Sequence, residues 1–266
     1  EASAPVTRIY GQALARQALA ADDLGRADAL WSRLVDLSIM TGTAGGEIDG
    51  AALKANLAEA GFRLAGDREY GPARAKLAEM ATNTLAHIGT SVVGVTLPRL
   101  EAGAALEGAA DAHRYVEVRG DTGVGKSWVL RHVAERVARL APIIVLDRDA
   151  TPAGGWLSFA NALGIPGTAR DFLTDLAASG GAVLFIDGID MFGDPGRQRT
   201  ISELLWAATP VPGFSVRPTT RTAGTADVEP WHDDQIVSSF GGAHPVQVGA
   251  LSDDEVAILV DQAPAL

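Results

Sequence analysis

The 266-residue chain contains no cysteine, which excludes disulfides and thiolate metal sites outright. Such a composition suits a reducing compartment, and the expected location is cytoplasmic. No apolar run reaches the ~18 residues that a membrane-spanning helix needs, and no basic-then-apolar leader opens the sequence, so no membrane partner is expected. Positive charge is scarce. Lys and Arg number 22 against 33 Asp and Glu, for a formal charge of −11. Broad binding to nucleic acid is therefore not expected, because phosphate affinity needs clustered cations. A local basic site stays open. No internal repeat is convincing either, because the helical segments share composition and not a fixed period. The sequence opens on Glu1 and closes soon after a predicted helix, and it reads as a piece of something longer.

A hydrophobic share of 47% supplies a substantial core, and two textures share it. Residues 1 to about 112 are Ala-rich with helical spacing, broken near Asp22, Asp23 and Gly25. The glycines of TGTAGGEIDG mark a loop, and Asp49 is placed to cap the helix that follows. A second long helical pattern covers about Pro72 to Val93. Between them, GFRLAGDREY suits either a short hairpin or an extended connector. This half reads as a helical packing or linker module, with a DNA-reading helix-turn-helix as the weaker alternative for so acidic a chain. From Tyr115 the pattern changes. YVEV, PIIVLD, AVLFID and FSV are strand-type runs that alternate with helical stretches such as WVLRHVAERVARL and ISELLWAA. That alternation predicts a parallel sheet covered on both faces, with AVLFI at its middle. Arg217 and Pro218 fit a buried strand poorly, so the FSV strand is expected to end by Val216.

The segment GDTGVGKS, Gly120 to Ser127, meets the G-x-x-x-x-G-K-[ST] pattern between a predicted strand and a predicted helix. Gly120, Gly123 and Gly125 let the backbone curl, so that amide groups surround phosphate oxygens. The N-terminus of the next helix adds partial positive charge. Asp121, Thr122, Val124 and Trp128 belong to the same cradle. Lys126 would meet the β- and γ-phosphates, and Ser127 would ligate Mg²⁺. The metal also needs a carboxylate, and Asp187 at the end of AVLFID supplies it on the same edge of the sheet. Asp190 could polarise water or could cap the next segment. Thr219, Thr220 and Arg221 would reach the γ-phosphate if their strand lies between the other two, and a solvated loop is the alternative for Arg221.

Together GDTGVGKSWVLRHVAERV, LFIDGID, the TTR run and VQVGALSDDEV resemble the STAND class of signalling NTPases, which includes NACHT proteins and many bacterial anti-phage sensors. The resemblance covers about Arg99 to Leu266. It implies a P-loop NTPase fold, a three-layer parallel sheet of ASCE or AAA-like type, preceded by the helical region at residues 1–97. The NTPase domain would span 98–250, and a truncated helical lid would begin at 251–266. By position it makes Asp187 the Mg²⁺ ligand, Gly188 the small residue beside it, Asp190 a later acid and Arg221 a sensor. Arg99, in LPRL, falls where related proteins begin the segment near the adenine. Met191 departs from the pattern, standing where many members carry a second acid. The expectation is an ATP/ADP switch with slow hydrolysis, self-associating into a homo-oligomer and acting through effector and sensor regions outside this sequence. An AAA-like motor and a nucleotide-stabilised structural module are the alternatives.

Overall fold

The computed structural model describes residues 11–16, 18–19, 23–43, 45–64, 70–89, 95–97, 99–178, 180–222 and 233–262. Five parallel strands form one sheet in the order β2-β3-β4-β1-β5. They are β1 (Val116–Gly120), β2 (Ile143–Leu146), β3 (Ala182–Ile186), β4 (Phe214–Arg221) and β5 (His244–Gln247). Strands buried on both faces need apolar side chains at successive positions, as IIVL and AVLFI supply. The pleat then divides them. Ile144, Leu146, Leu184 and Ile186 join one core, while Ile143, Val145 and Phe185 join the other.

Helices α4 (Leu100–Ala112) and α5 (Lys126–Val137) cover the second of these faces. The first is covered by α6 (Trp156–Leu163), α7 (Ala169–Ala177), α8 (Pro195–Ala208) and the short α9 (Asp234–Ser239). The result is the three-layer P-loop NTPase fold expected from the sequence. Helix α3 (Gly71–His87) belongs to this body as well. It runs along the edge strand β2 and gives Ala73 and Leu77 to one core, Ala81 and Leu85 to the other. Covering that edge removes a row of unpaired backbone groups from solvent. The helix expected to run to about Val93 ends at His87, where Ile88 turns extended, and residues 90–93 lie outside the described residues.

Before α3, α1 (Ala27–Thr43) and α2 (Gly50–Glu59) gather a small core of their own, with Leu30, Leu37, Leu57 and Phe62 buried. Asp49 caps α2 as expected, accepting a 2.7 Å hydrogen bond from Ala52 N. The break before α1 is a 3₁₀ turn at Leu24–Arg26, although Asp22 lies outside the described residues. Within GFRLAGDREY, Leu64 forms a single antiparallel bridge with Leu19, and residues 65–69 lie outside the described residues. Among the described residues no helix is long and apolar enough to cross a membrane.

Two expectations about the strands need correction. First, β4 does not end at Val216. Its register continues with Pro218 opposite Ile186 and with Thr219 to Arg221 opposite Val118 to Gly120. Pro218 forgoes one ladder donor, an uncommon placement away from a sheet edge. Arg217 is only 4% exposed, yet its guanidinium donates to the carbonyls of Ala110, Arg114 and Val216. It thereby closes the C-terminal end of α4, where a cation is favoured. Burial pushes its pKa down to about 10 and nearby Asp111 opposes this, so the group stays charged at neutral pH. Second, β4 and not β3 is the middle strand of five. The edge strand β5 was not foreseen, because HPVQ contains Pro245, which an edge tolerates.

Candidate functional site

Strand β1 delivers the loop to the carboxyl edge of the sheet. Gly120 is required there by crowding, since a Cβ would overlap the carbonyl of Val248 on the chain leaving β5. Gly125, with φ 92°, holds a left-handed turn that caps the start of α5, and side chains rarely accept that backbone. The loop therefore ends with the first amides of α5 turned toward the cleft, where an anion is favoured. Lys126 folds across the loop. Its Nζ donates to the carbonyls of Gly120 at 2.9 Å and Asp121 at 2.7 Å. Burial lowers its pKa, Asp190, Asp187 and Asp121 raise it, and Arg221 lowers it further, with a lowered value as the net result. A bound phosphate would offset that burial cost.

The two residues expected to hold the metal come together across elements. Ser127 Oγ donates to Asp187 Oδ1 at 2.9 Å, so the hydroxyl on α5 and the carboxylate that follows β3 share one point. Thr219, 1% exposed on the neighbouring β4, completes the arrangement. Its hydroxyl donates to the same Asp187 oxygen at 2.7 Å and accepts from Gly188 N at 2.7 Å. Hard oxygen donors of this kind suit Mg²⁺, which takes one or two protein ligands and completes its shell with phosphate and water. Among the described residues no group of three or more His, Asp or Glu could hold a metal ion.

Asp190 and Arg221 meet each other. Arg221 Nε donates to Asp190 Oδ2, joining the end of β4 to the 3₁₀ turn Ile189–Met191. Because Arg221 is register partner of Gly120, this pair stands beside the phosphate loop. Met191 is half-exposed at the same rim. These groups surround a cleft of about 630 Å³ that also takes in Thr122, Gly123, Gly125 and Trp128, within the usual range for small-molecule sites. A larger hollow of about 830 Å³ lies between α3 and α5. It is mostly apolar and away from the loop, so volume alone does not mark the chemistry.

Other expected residues lie nearby in different roles. Trp128 stacks on His132 at 5.2 Å. Val124 packs against the α4–α5 core. Arg99 does not line the cleft. It is buried and bound to Gly249, Ala250 and Glu255, with its Nε 3.9 Å from the position a Cβ on Gly125 would take. Pro98, its neighbour in LPRL, lies outside the described residues. The role of Thr219 in orienting Asp187 was not read from the sequence, and neither was the presence of Asp147, Arg148 and Asp149 at the cleft. PIIVLD ends on an acid as AVLFID does, and the parallel register of β2 with β3 puts both acids at one edge. That matching pattern was the available signal.

No protein-family model matches the chain, and no curated protein does. Solved structures similar to it include the Walker-type ATPase PABY2304 of Pyrococcus abyssi, at 16% identity and a TM-score of 0.40 over 66% of this chain and 60% of that one. PCH-2 of C. elegans is similar at 16% identity and a TM-score of 0.33, over 72% of this chain and 46% of that one. AMPPCP-bound DnaA from Aquifex aeolicus is similar at 15% identity and a TM-score of 0.41, over 62% and 49%. The chain thus spans between 46% and 60% of the length of these three proteins.

Proposed function

We propose that the chain is the ATP-binding part of a signalling switch of STAND type, in which slow hydrolysis controls self-association, in a bacterial anti-phage setting. The single observation that carries the nucleotide reading is the meeting of Ser127, on the phosphate loop, with Asp187 and Thr219. Gly120 to Ser127 hold the phosphates, Lys126 neutralises the β- and γ-groups, and Ser127 with Asp187 holds Mg²⁺. The metal would supply charge neutralisation at the γ-phosphate. The setting and the oligomer rest on the resemblance of the motifs alone.

The slow rate is supported by the state of the acids. Asp190 presents one carboxylate oxygen to Arg221, so water activation would have to share that group with the ion pair. Met191 stands at the next position without any basic atom. General-base help is worth about 10²–10⁴-fold in rate, and its weakness leaves ATP bound long enough to define a state. The ATP and ADP forms then differ in the contacts that the γ-phosphate makes with Lys126, Mg²⁺ and Arg221. Effector and sensor regions would lie outside this chain.

Turnover and particle size test this together. Under saturating ATP and Mg²⁺ we expect slow hydrolysis that nucleic acid does not stimulate. The full-length protein should enlarge with ATP or a non-hydrolysable analogue and not with ADP. Fast turnover by a particle that stays monomeric in all three would replace the switch with a motor. Nucleotide binding with neither turnover nor association would leave only a structural module.

A further inference from the structure

The cleft collects four carboxylates, those of Asp147, Asp149, Asp187 and Asp190. Three of them are occupied or swept by solvent. Asp187 accepts from Ser127 and Thr219 and is the expected metal ligand. Asp190 gives one oxygen to Arg221, and the Asp149 side chain stands 83% exposed beside Arg148. Asp147 differs from all three. Its Oδ1 accepts from Asp149 N at 2.9 Å and from Ala150 N at 2.5 Å. Among the described residues none bonds its Oδ2.

Topology fixes where this residue stands. Strands β2 and β3 run parallel with Leu146 opposite Ile186, and Asp187 N donates to Leu146 O at 2.8 Å. The ladder thus reaches the two acids, which follow at neighbouring positions on strands about 4.8 Å apart. Ile143 and Val145 face the α4–α5 core, as Phe185 does. By the two-residue pleat, Asp147 and Asp187 take that same face, the side on which Ser127 meets Asp187. The turn behind Asp147 is firmly built. Thr151 closes it, its N and Oγ1 donating to Asp147 O at 3.2 and 2.6 Å. Arg197 on α8 in turn holds Thr151 O at 3.1 Å. A carboxylate fixed by its own turn, with one oxygen unspent and a place in the cleft wall, suits proton transfer from water.

We propose that Asp147 is the general base of the hydrolysis, taking the proton from the attacking water. The water oxygen bonds to the γ-phosphorus as the bond from that phosphorus to the β–γ bridging oxygen breaks. The bridging oxygen leaves on ADP with the electron pair, and the water proton passes to Asp147 Oδ2. Asp147 then returns the proton to the released phosphate. Asp190 stays with Arg221 throughout. A single base acting without a second acid suits the slow turnover proposed above. This rests on the nucleotide reading and adds to it the residue that activates water.

The test uses the whole 266-residue chain with ATP, Mg²⁺ and a non-hydrolysable ATP analogue. Asp147→Asn keeps an Oδ1 acceptor for Asp149 N and Ala150 N and removes only the basic oxygen. It should lower kcat by about 10²-fold or more, the range of general-base help. Its analogue affinity by calorimetry and its melting temperature should match the parent's. Nucleotide recovered from it should remain ATP, whereas the parent returns ADP. Thr151→Val loosens the same turn and leaves the carboxylate in place, so it should melt lower and keep the parent's kcat. Equal kcat in Asp147→Asn and the parent overturns the assignment. So does a kcat in Thr151→Val that falls as far as in Asp147→Asn, because the shape of the turn would then explain both. A parent that binds the analogue and never hydrolyses ATP overturns it as well, and leaves the nucleotide site standing. If the parent binds no analogue, the nucleotide reading falls and the assignment of Asp147 falls with it.

Discussion

Replacing Thr219 by Val removes one hydroxyl from the middle of the site and keeps the side-chain shape. The hydroxyl donates to Asp187 Oδ1 and accepts from Gly188 N. Its loss costs a hydrogen bond to a charged acceptor and leaves an amide without its acceptor in a part-buried place. Charge-assisted bonds contribute about 1.5–3 kcal/mol and an orphaned donor about 1–3 kcal/mol, so the sum lies near 2–3 kcal/mol once partial access to water is allowed for. For a chain of this size that lowers the melting temperature by roughly 4–12 °C. A second effect is specific to the site. Asp187 keeps its bond from Ser127 but loses the group that fixes its rotation, and losing such a partner usually costs about 10–100-fold in metal affinity. Differential scanning fluorimetry reads the first effect, and a Mg²⁺ titration of ATP binding reads the second. Thr219→Ser restores the hydroxyl and should recover most of both. A Mg²⁺ requirement in Thr219→Val that matches the parent would refute the orienting role, and so would a Thr219→Ser as impaired as the Val variant.

Lys126→Ala should abolish ATP binding, read by calorimetry, and leave the melting temperature level or higher, because burial already disfavours the charged amine. Asp187→Asn should impair Mg²⁺-dependent turnover more than metal-free nucleotide binding, since the loop amides still hold phosphate; equal activity across a Mg²⁺ titration would count against its role. Arg217→Met leaves the carbonyls of Ala110, Arg114 and Val216 without that donor and should lower unfolding stability by about 2–4 kcal/mol in urea, with ATP affinity little changed. In competition binding ATP should outcompete GTP, because no N-K-x-D run for reading guanine occurs in the sequence; tighter GTP would refute the adenine preference.

Local pattern was enough for what depends on neighbours along the chain. GDTGVGKS specified a loop between strand and helix, since its glycines supply the needed backbone and its Lys and Ser follow at fixed spacing. The unbroken apolar runs PIIVL and AVLFI announced strands buried on both faces, and Asp49 announced a helix start. What depends on partners far along the chain stayed out of reach. Strand order is set by packing of whole layers, so only the fold shows β4 between β1 and β3. That order brings Thr219 to Asp187 and Arg221 to Asp190 across 32 and 31 positions. Arg217 looked too polar for a buried strand because its compensating carbonyls come from α4 and from the turn before β1. Arg99 gave no sign of its partners, which lie 150 or more positions away. The sequence by itself determined a phosphate-loop pattern between strand and helix and the candidate residues along it. Tertiary structure decided which acid is held in place, which is occupied by a cation, and which arginine meets the segment after β5. Those outcomes depend on distances between elements that sequence spacing does not constrain.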